Sequence, residues 1–278
     1  MVRLPASVCR RYAALSRYNS PYHAHRDGRA VDLYPESGAP SPVAGEVVRH
    51  QRVSCPTRSY AEAHDHLLVV DTGDALARLL HVEPSVTVGD QVAVGDDLGR
   101  LIRSGYYAPW VENHLHLGFR PPDGNALRAA GSLPLELGVP IEPVGWDGVG
   151  TVVETGPTHV RLDAPGHPDP GGPFAGIAAT VGNSAGEACR ALDGGLPHYA
   201  GAGLDGGGKG LVTLLGTVVG EADQGQVSWT DVEVRANGEP VYGLSLGAFR
   251  DRLGAKLVSW SRLPAAEGDT VEVTITSE

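Results

Sequence analysis

Eleven histidines are spread unevenly along the 278 residues, and eight of them precede residue 117. Neutral imidazole is the commonest metal ligand, and its charge changes near neutral pH, so it also serves as an acid or base. The densest group is Asn113-His114-Leu115-His116-Leu117. In a strand, residues two apart share a face. His114 and His116 therefore project together, while Leu115 and Leu117 turn into a core. An H-x-H pair by itself also occurs on exposed strands that bind nothing. Upstream, His23-Ala24-His25 is followed by Ala30-Val31-Asp32-Leu33. Asp32 alternates with Val31 and Leu33 and so stands on the opposite, polar face of a strand. A carboxylate flanked by core residues requires a partner, which a nearby histidine and a metal would supply. His81 ends the run Leu76-Ala77-Arg78-Leu79-Leu80 and, taken alone, reads as structural. A further pair, His64-x-His66, reads as surface.

Short strands broken by turns must carry these groups. Arg29–Tyr34, Val43–His50, His66–Asp71, Ala75–His81, Leu98–Arg103 and His114–Arg120 read as strands, separated by turn signals at Pro40–Pro42, Gly73-Asp74, Gly89-Asp90 and Gly95–Asp97. That spacing predicts a compact antiparallel sheet. Gly and Pro together supply 59 residues, with few aromatics, which favours strands and turns over long helices. The expected class is mainly β. Residues 1–20 read as an N-terminal arm or short helix, 21–140 as the histidine-bearing domain, and 141–278 as a second, β-rich domain.

The ordered set of motifs resembles the lysostaphin-type (LytM-like) zinc metallopeptidases, including their β-lytic branch. The resemblance rests on the early His…Asp pair and on Gly38-Ala39-Pro40-Ser41-Pro42-Val43-Ala44-Gly45-Glu46-Val47. It continues through His81, the stretch Val86–Gly99 and the closing His114-Leu115-His116. It covers about 100 residues in matching order. It implies an antiparallel peptidase-like domain with Zn2+ held by His25, Asp32 and His116, leaving one position for water. His81 and His114 would flank that water, one as general base and the other stabilising the developing oxyanion. The implied substrate is a peptide or peptidoglycan-like cross-link. A catalytically inactive LytM-like binding or regulatory module is the alternative.

The chain departs from the family pattern in three places. Six residues separate His25 from Asp32, where the family often has three, and His23 is a rival first ligand. Leu79 stands where the family usually has Tyr. The lead-in to H-x-H is the bulky Ser104-Gly105-Tyr106-Tyr107-Ala108-Pro109-Trp110, which should shape the cleft.

Composition excludes several other functions. Net charge is −11, with no basic stripe for nucleic acid. Arginine outnumbers lysine 20 to 2, which fits either a salt-adapted source or a GC-rich genome. Both lysines, Lys209 and Lys256, lie far from the Val86–Leu98 hairpin, so a biotinyl- or lipoyl-type carrier has no attachment point. Cys9, Cys55 and Cys189 form neither a disulfide framework nor a Cys-rich zinc site. No stretch is long enough to span a bilayer. Met1–Asn19 lacks an apolar run of signal-peptide length. As written this implies a cytoplasmic protein, whereas the resemblance implies an extracellular one.

The C-terminal region carries no comparable constellation. Gly150–Glu154 and His159–Asp163 read as a hairpin. Ala185–Leu192 and Leu246–Val258 read as helices, Leu211–Val219, Val232–Arg235 and Thr270–Thr276 as strands, and Asn237-Gly238 as a turn. Asp205–Gly210 lacks the spacing of a phosphate loop.

Overall fold

Alternating apolar residues pair six strands of the N-terminal half into one antiparallel sheet. The computed structural model describes residues 1–183 and 186–277. The strands are β1 (Ala30–Tyr34), β2 (Gly45–Ser54), β3 (His64–Asp71), β4 (Leu76–Leu80), β5 (Gln91–Val92) and β6 (Leu115–Arg120). Their spatial order is β1-β6-β4-β3-β2-β5, with every neighbour antiparallel. β6 therefore lies between β1 and β4, flanked by the segments that carry Asp32 and His81. Val31, Leu33, Leu115 and Leu117 are fully buried, as their alternation requires. The predicted strand Leu98–Arg103 shortens to Gly99–Leu101 and pairs with Val82–Pro84 outside this sheet.

The chain divides into two compact units, residues 1–15 with 23–139, and residues 16–22 with 140–278. Residues 1–20 are not a free arm. Val2–Leu4 forms a parallel pair with Leu135–Leu137, and Ala6–Cys9 is a single helical turn. Tyr12 is fully buried, with its hydroxyl donating to the Pro40 carbonyl at 2.7 Å. These packed apolar residues make residues 1–15 part of the first unit, while residues 16–20 belong to the second. The three cysteines are free, and among the described residues no helix is long and apolar enough to cross a membrane.

The second unit is also built of strands. β7 (Phe174–Asn183), β8 (Gly186–Leu196), β9 (Ala202–Leu204), β10 (Gly210–Leu214), β11 (Thr217–Asp223) and β12 (Gln226–Trp229) follow in sequence. Their antiparallel pairings, β7-β8-β9-β12-β11-β10 and back to β7, close a small barrel. The end of β8 extends the pairing to Gly243–Leu246 and then to Lys256–Val258. The hairpin Val149–Thr155/His159–Leu162 forms, and Asn237-Gly238 makes a left-handed turn after Val232–Ala236.

Three expectations for this unit are corrected. The helix expected over Ala185–Leu192, whose first residue lies outside the described ones, is strand from Gly186. Eight residues make a marginal helix, and here β7 supplies ladder partners along residues 186–191, with β9 taking over at Leu192. Leu246–Val258 is not helical, because Gly254 adopts φ +68° and a Cβ there would meet the Leu162 carbonyl oxygen at 2.3 Å. Leu211–Val219 is two strands, broken by Leu215 and Gly216 at φ +49° and +76°.

Residues 16–22 are tied into the second unit through Asp193. Its carboxylate accepts the Ser16 hydroxyl and the Arg17 N–H, each at 2.6 Å, and the Tyr18 N–H at 3.3 Å. Replacing it leaves these donors unpaired in a buried setting. Asp193→Ala is expected to destabilise this unit by about 2–4 kcal/mol, read as a lowered urea midpoint.

Candidate metal centre

Strand register sets two members of the site directly opposite each other. Asp32 on β1 pairs with His116 on β6, so both side chains leave the same face of the sheet. The Asp32 Oδ1 lies 3.0 Å from His116 Nδ1. His25 closes the group, its Nε2 lying 3.2 Å from the same oxygen and 2.9 Å from His116 Nδ1. The local chain explains the long spacing between His25 and Asp32. His23–Arg26 is one helical turn, ended by Gly28 at φ +63°. The Arg29 N–H reaches the Ala24 carbonyl at 2.7 Å and the Gly28 N–H reaches that of His25 at 2.8 Å, the paired bonds of a Schellman stop. The extra residues thus build a reversal that returns His25 to the carboxylate. His23, the rival ligand, is exposed and takes a hydrogen bond from the Arg26 guanidinium.

These three donors fit a metal ion. They are the group of His, Cys, Asp or Glu side chains, among the described residues, whose ligand atoms converge in this way. Separations of 2.9, 3.0 and 3.2 Å allow one point at roughly 2.0–2.2 Å from all three, the range of zinc bonds to nitrogen and oxygen. Two imidazoles and one carboxylate are also a donor set that zinc accepts. The His116 side chain keeps 14 % of its surface exposed, against 1 % for His25 and 5 % for Asp32. Access to the group therefore runs past His116.

His114 and His81 complete the constellation. His114 Nε2 lies 3.4 Å from Asp32 Oδ2, and its Nδ1 meets the Glu112 carbonyl at 2.8 Å. His81 follows the last residue of β4, and its ring centroid is 5.0 Å from that of His114 and 5.9 Å from that of His116. The structure thus brings His25, Asp32, His81, His114 and His116 into one cluster. Tyr107 packs on both flanking rings, 5.1 Å from His81 and 4.6 Å from His114. The Arg103 guanidinium braces this loop, lying 4.9 Å from the Tyr107 ring and donating to the Ala108 and Pro109 carbonyls.

Three contributors carried no motif. Asp65 sits between His64 and His66 in the pair read as surface, and that reading fails for it. His64 is exposed and His66 half-buried, but Asp65 is fully buried and lies 2.6 Å from His81 Nδ1. Ser104 donates its hydroxyl to the same carboxylate at 2.6 Å, and Tyr107 supplies a wall. For Asp65 the available signal was its alternation with Leu67 and Val69, which marks an inward face; Ser104 and Tyr107 lie in the bulky lead-in loop already expected to shape the cleft. Two other rings in this strand pair, His50 and His66, stack 5.1 Å apart outside the cluster.

The electrostatics suit metal binding. Burial alone would raise the Asp32 carboxyl, but the charges of His114 and His25 and hydrogen bonds from His116 and His25 hold it well below the usual carboxylate range. Burial pushes His114 and His116 down to about 4, against the partial support of Asp32. At neutral pH these two therefore stand beside Asp32 as neutral rings, His116 facing it through Nδ1 and His114 through Nε2, with the His114 ring proton on the Nδ1 that meets the Glu112 carbonyl. An ionised carboxylate beside neutral imidazoles is the protonation state that a metal requires. Asp65 behaves similarly. Burial would raise it, but the charge and hydrogen bond of His81, then Ser104 and the His66 N–H, bring it to about 2.

Two outcomes follow. His114 and His116 have folded values below the ordinary 6.5, so the unfolded chain binds more protons between about 6.5 and about 4. The metal-free protein is expected to lose stability as pH falls through that window, and His114→Gln with His116→Gln should flatten the slope in urea titrations. Gly28→Ala strains the left-handed stop, at a cost of about 1 kcal/mol. It should also displace His25 from Asp32 and His116, a change that the ring resonances of His25 would report by NMR.

The two units correspond to two family matches. Residues 3–137 match the domain of unknown function (DUF8155) N-terminal domain, and residues 142–276 match the DUF8155 C-terminal domain. No curated protein matches the chain. With both of its domains present in order over nearly the whole length, the chain belongs to the DUF8155 family.

Proposed function

We propose that the N-terminal unit is a zinc-dependent hydrolase of peptide bonds, acting on a peptide or a peptidoglycan-like cross-link. The observation that carries this reading is the convergence of His25, Asp32 and His116 on one point beside two further buried histidines. Zinc held there would lower the pKa of a water and polarise a carbonyl. The chain supplies the remaining requirements. Asp32 contributes a full negative charge from a buried position. His81 and His114, with their Nδ1 atoms engaged by Asp65 and by the Glu112 carbonyl, present Nε2 lone pairs for proton transfer, and an Nε2 that has taken up a proton can hydrogen-bond the developing oxyanion. Tyr107, on its braced loop, packs against both rings. The choice of a peptide bond rests on the resemblance to lysostaphin-type metallopeptidases, and the choice of zinc on the donor set.

Purified protein should hold about one zinc per chain by elemental analysis. His116→Ala and Asp32→Ala should lose it. His81→Ala and His114→Ala should retain it, with hydrolysis of peptide or cell-wall substrates falling by about 10²–10⁴. Absence of zinc, or zinc indifferent to His116→Ala, would sink the reading. A zinc-loaded protein that cleaves no such substrate would mark an inactive binding or regulatory module.

A further inference from the structure

Asp65 spends its whole carboxylate on the chain around His81. Oδ1 accepts two main-chain N–H groups, that of His66 at 2.6 Å and that of His81 at 2.9 Å. Oδ2 accepts the Ser104 hydroxyl at 2.6 Å and faces His81 Nδ1 at 2.6 Å. His81 stands at φ +70°, a left-handed conformation that residues with a side chain seldom adopt. Its carbonyl is held in turn by the Ile102 N–H at 2.9 Å. One carboxylate therefore secures both the unusual backbone and the ring.

A carboxylate only accepts hydrogen bonds. Neutral His81 must then carry its proton on Nδ1, which leaves Nε2, on the opposite edge of the ring, as an acceptor. His114 differs. Its Nδ1 meets the main-chain carbonyl of Glu112, a dipole without net charge, and the carboxylate near it, Asp32 Oδ2 at 3.4 Å from Nε2, belongs to the metal-ligand group. An imidazolium is better supported by a carboxylate hydrogen-bonded to its other nitrogen, as Asp65 is to His81, than by a carbonyl there.

We infer that Asp65 is a positioning residue that makes His81, rather than His114, the proton acceptor of the site. This assignment of roles rests on the hydrolase reading above. In the reaction, a water O–H bond breaks and its proton passes to His81 Nε2, while the electron pair forms the new bond to the carbonyl carbon. Nε2 then returns the proton to the departing amine nitrogen as the C–N bond breaks. Asp65 remains ionised throughout and faces the transient positive charge.

The two N–H groups on Oδ1 make this testable with Asp65→Asn. They oblige the amide oxygen to occupy the Oδ1 position and so place the NH2 group against His81 Nδ1. That nitrogen must then accept, and the ring proton moves to Nε2. Nitrogen-15 NMR of the metal-free protein, with the His81 signals assigned by their loss in His81→Gln, should show Nδ1–H in the wild type and Nε2–H in Asp65→Asn. Ser104→Ala should leave the wild-type form in place. Zinc stoichiometry should be unchanged in Asp65→Asn, while peptide hydrolysis by the zinc-loaded variant falls at least a hundredfold. Nε2–H in the wild type, or Nδ1–H retained in Asp65→Asn, overturns the inference, and the wild-type measurement stands even if the variant fails to fold. If the tautomer switches but the wild-type zinc protein cleaves no peptide, the hydrolase reading fails and the control of His81 by Asp65 stands.

Discussion

A carboxylate that has left water must recover its solvation from the protein, and the histidine cluster is arranged around that requirement for Asp32. It lies between buried Val31 and Leu33, so its side chain cannot swing outward without withdrawing two core residues. Strand β6 crosses beside it in a register that presents His116 directly opposite and His114 one alternation away. The helical turn and its glycine stop then return His25 to the same oxygen. His114 and His116 are desolvated in the process, which keeps them neutral and able to donate a lone pair. Burial that would be costly for isolated charges thus produces one ionised and several neutral donors facing one another.

The flanking histidines depend on a further layer. A ring can hold a defined proton only when its other nitrogen is engaged, and both flanking rings meet this condition, through Asp65 and through the Glu112 carbonyl. The loop from Ser104 to Trp110 serves the same end. Ser104 completes the Asp65 carboxylate, Tyr107 fills the space behind the rings, and Arg103 ties the loop carbonyls. Satisfied buried networks of this kind resist rearrangement, because any partial opening strands a polar group in a low-dielectric interior.

The second unit reaches stability by another route. Its core is largely small and aliphatic, Ala, Val and Leu on strands that close into a barrel and its extension. Glycines permit close approach between strands, as at Gly210, where a Cβ would meet the Gly182 carbonyl oxygen at 2.1 Å. The half-buried carboxylate of Asp193 serves there as an anchor for residues 16–22.

Local chemistry alone determined a good deal. The period-two alternation identified the strands of the first unit. The H-x-H pair and Asp32 were legible as same-face polar groups, because strand geometry assigns a face to every residue without reference to its neighbours. The mainly β character followed from turn residues. Tertiary structure decided the rest. The choice between His23 and His25 depended on a left-handed glycine stop three residues on, whose effect on direction no spacing rule contains. Asp65 was hidden in a pair that looked superficial, since its burial comes from β4 and the Ser104 loop, both distant in sequence. Gly186–Leu196 has helix-forming residues yet is a strand, because ladder partners outweigh a propensity of a few tenths of a kcal/mol per residue. Alternation is a property of one segment, whereas burial, partners and ligand convergence are properties of segments meeting, and only the folded chain specifies which segments meet.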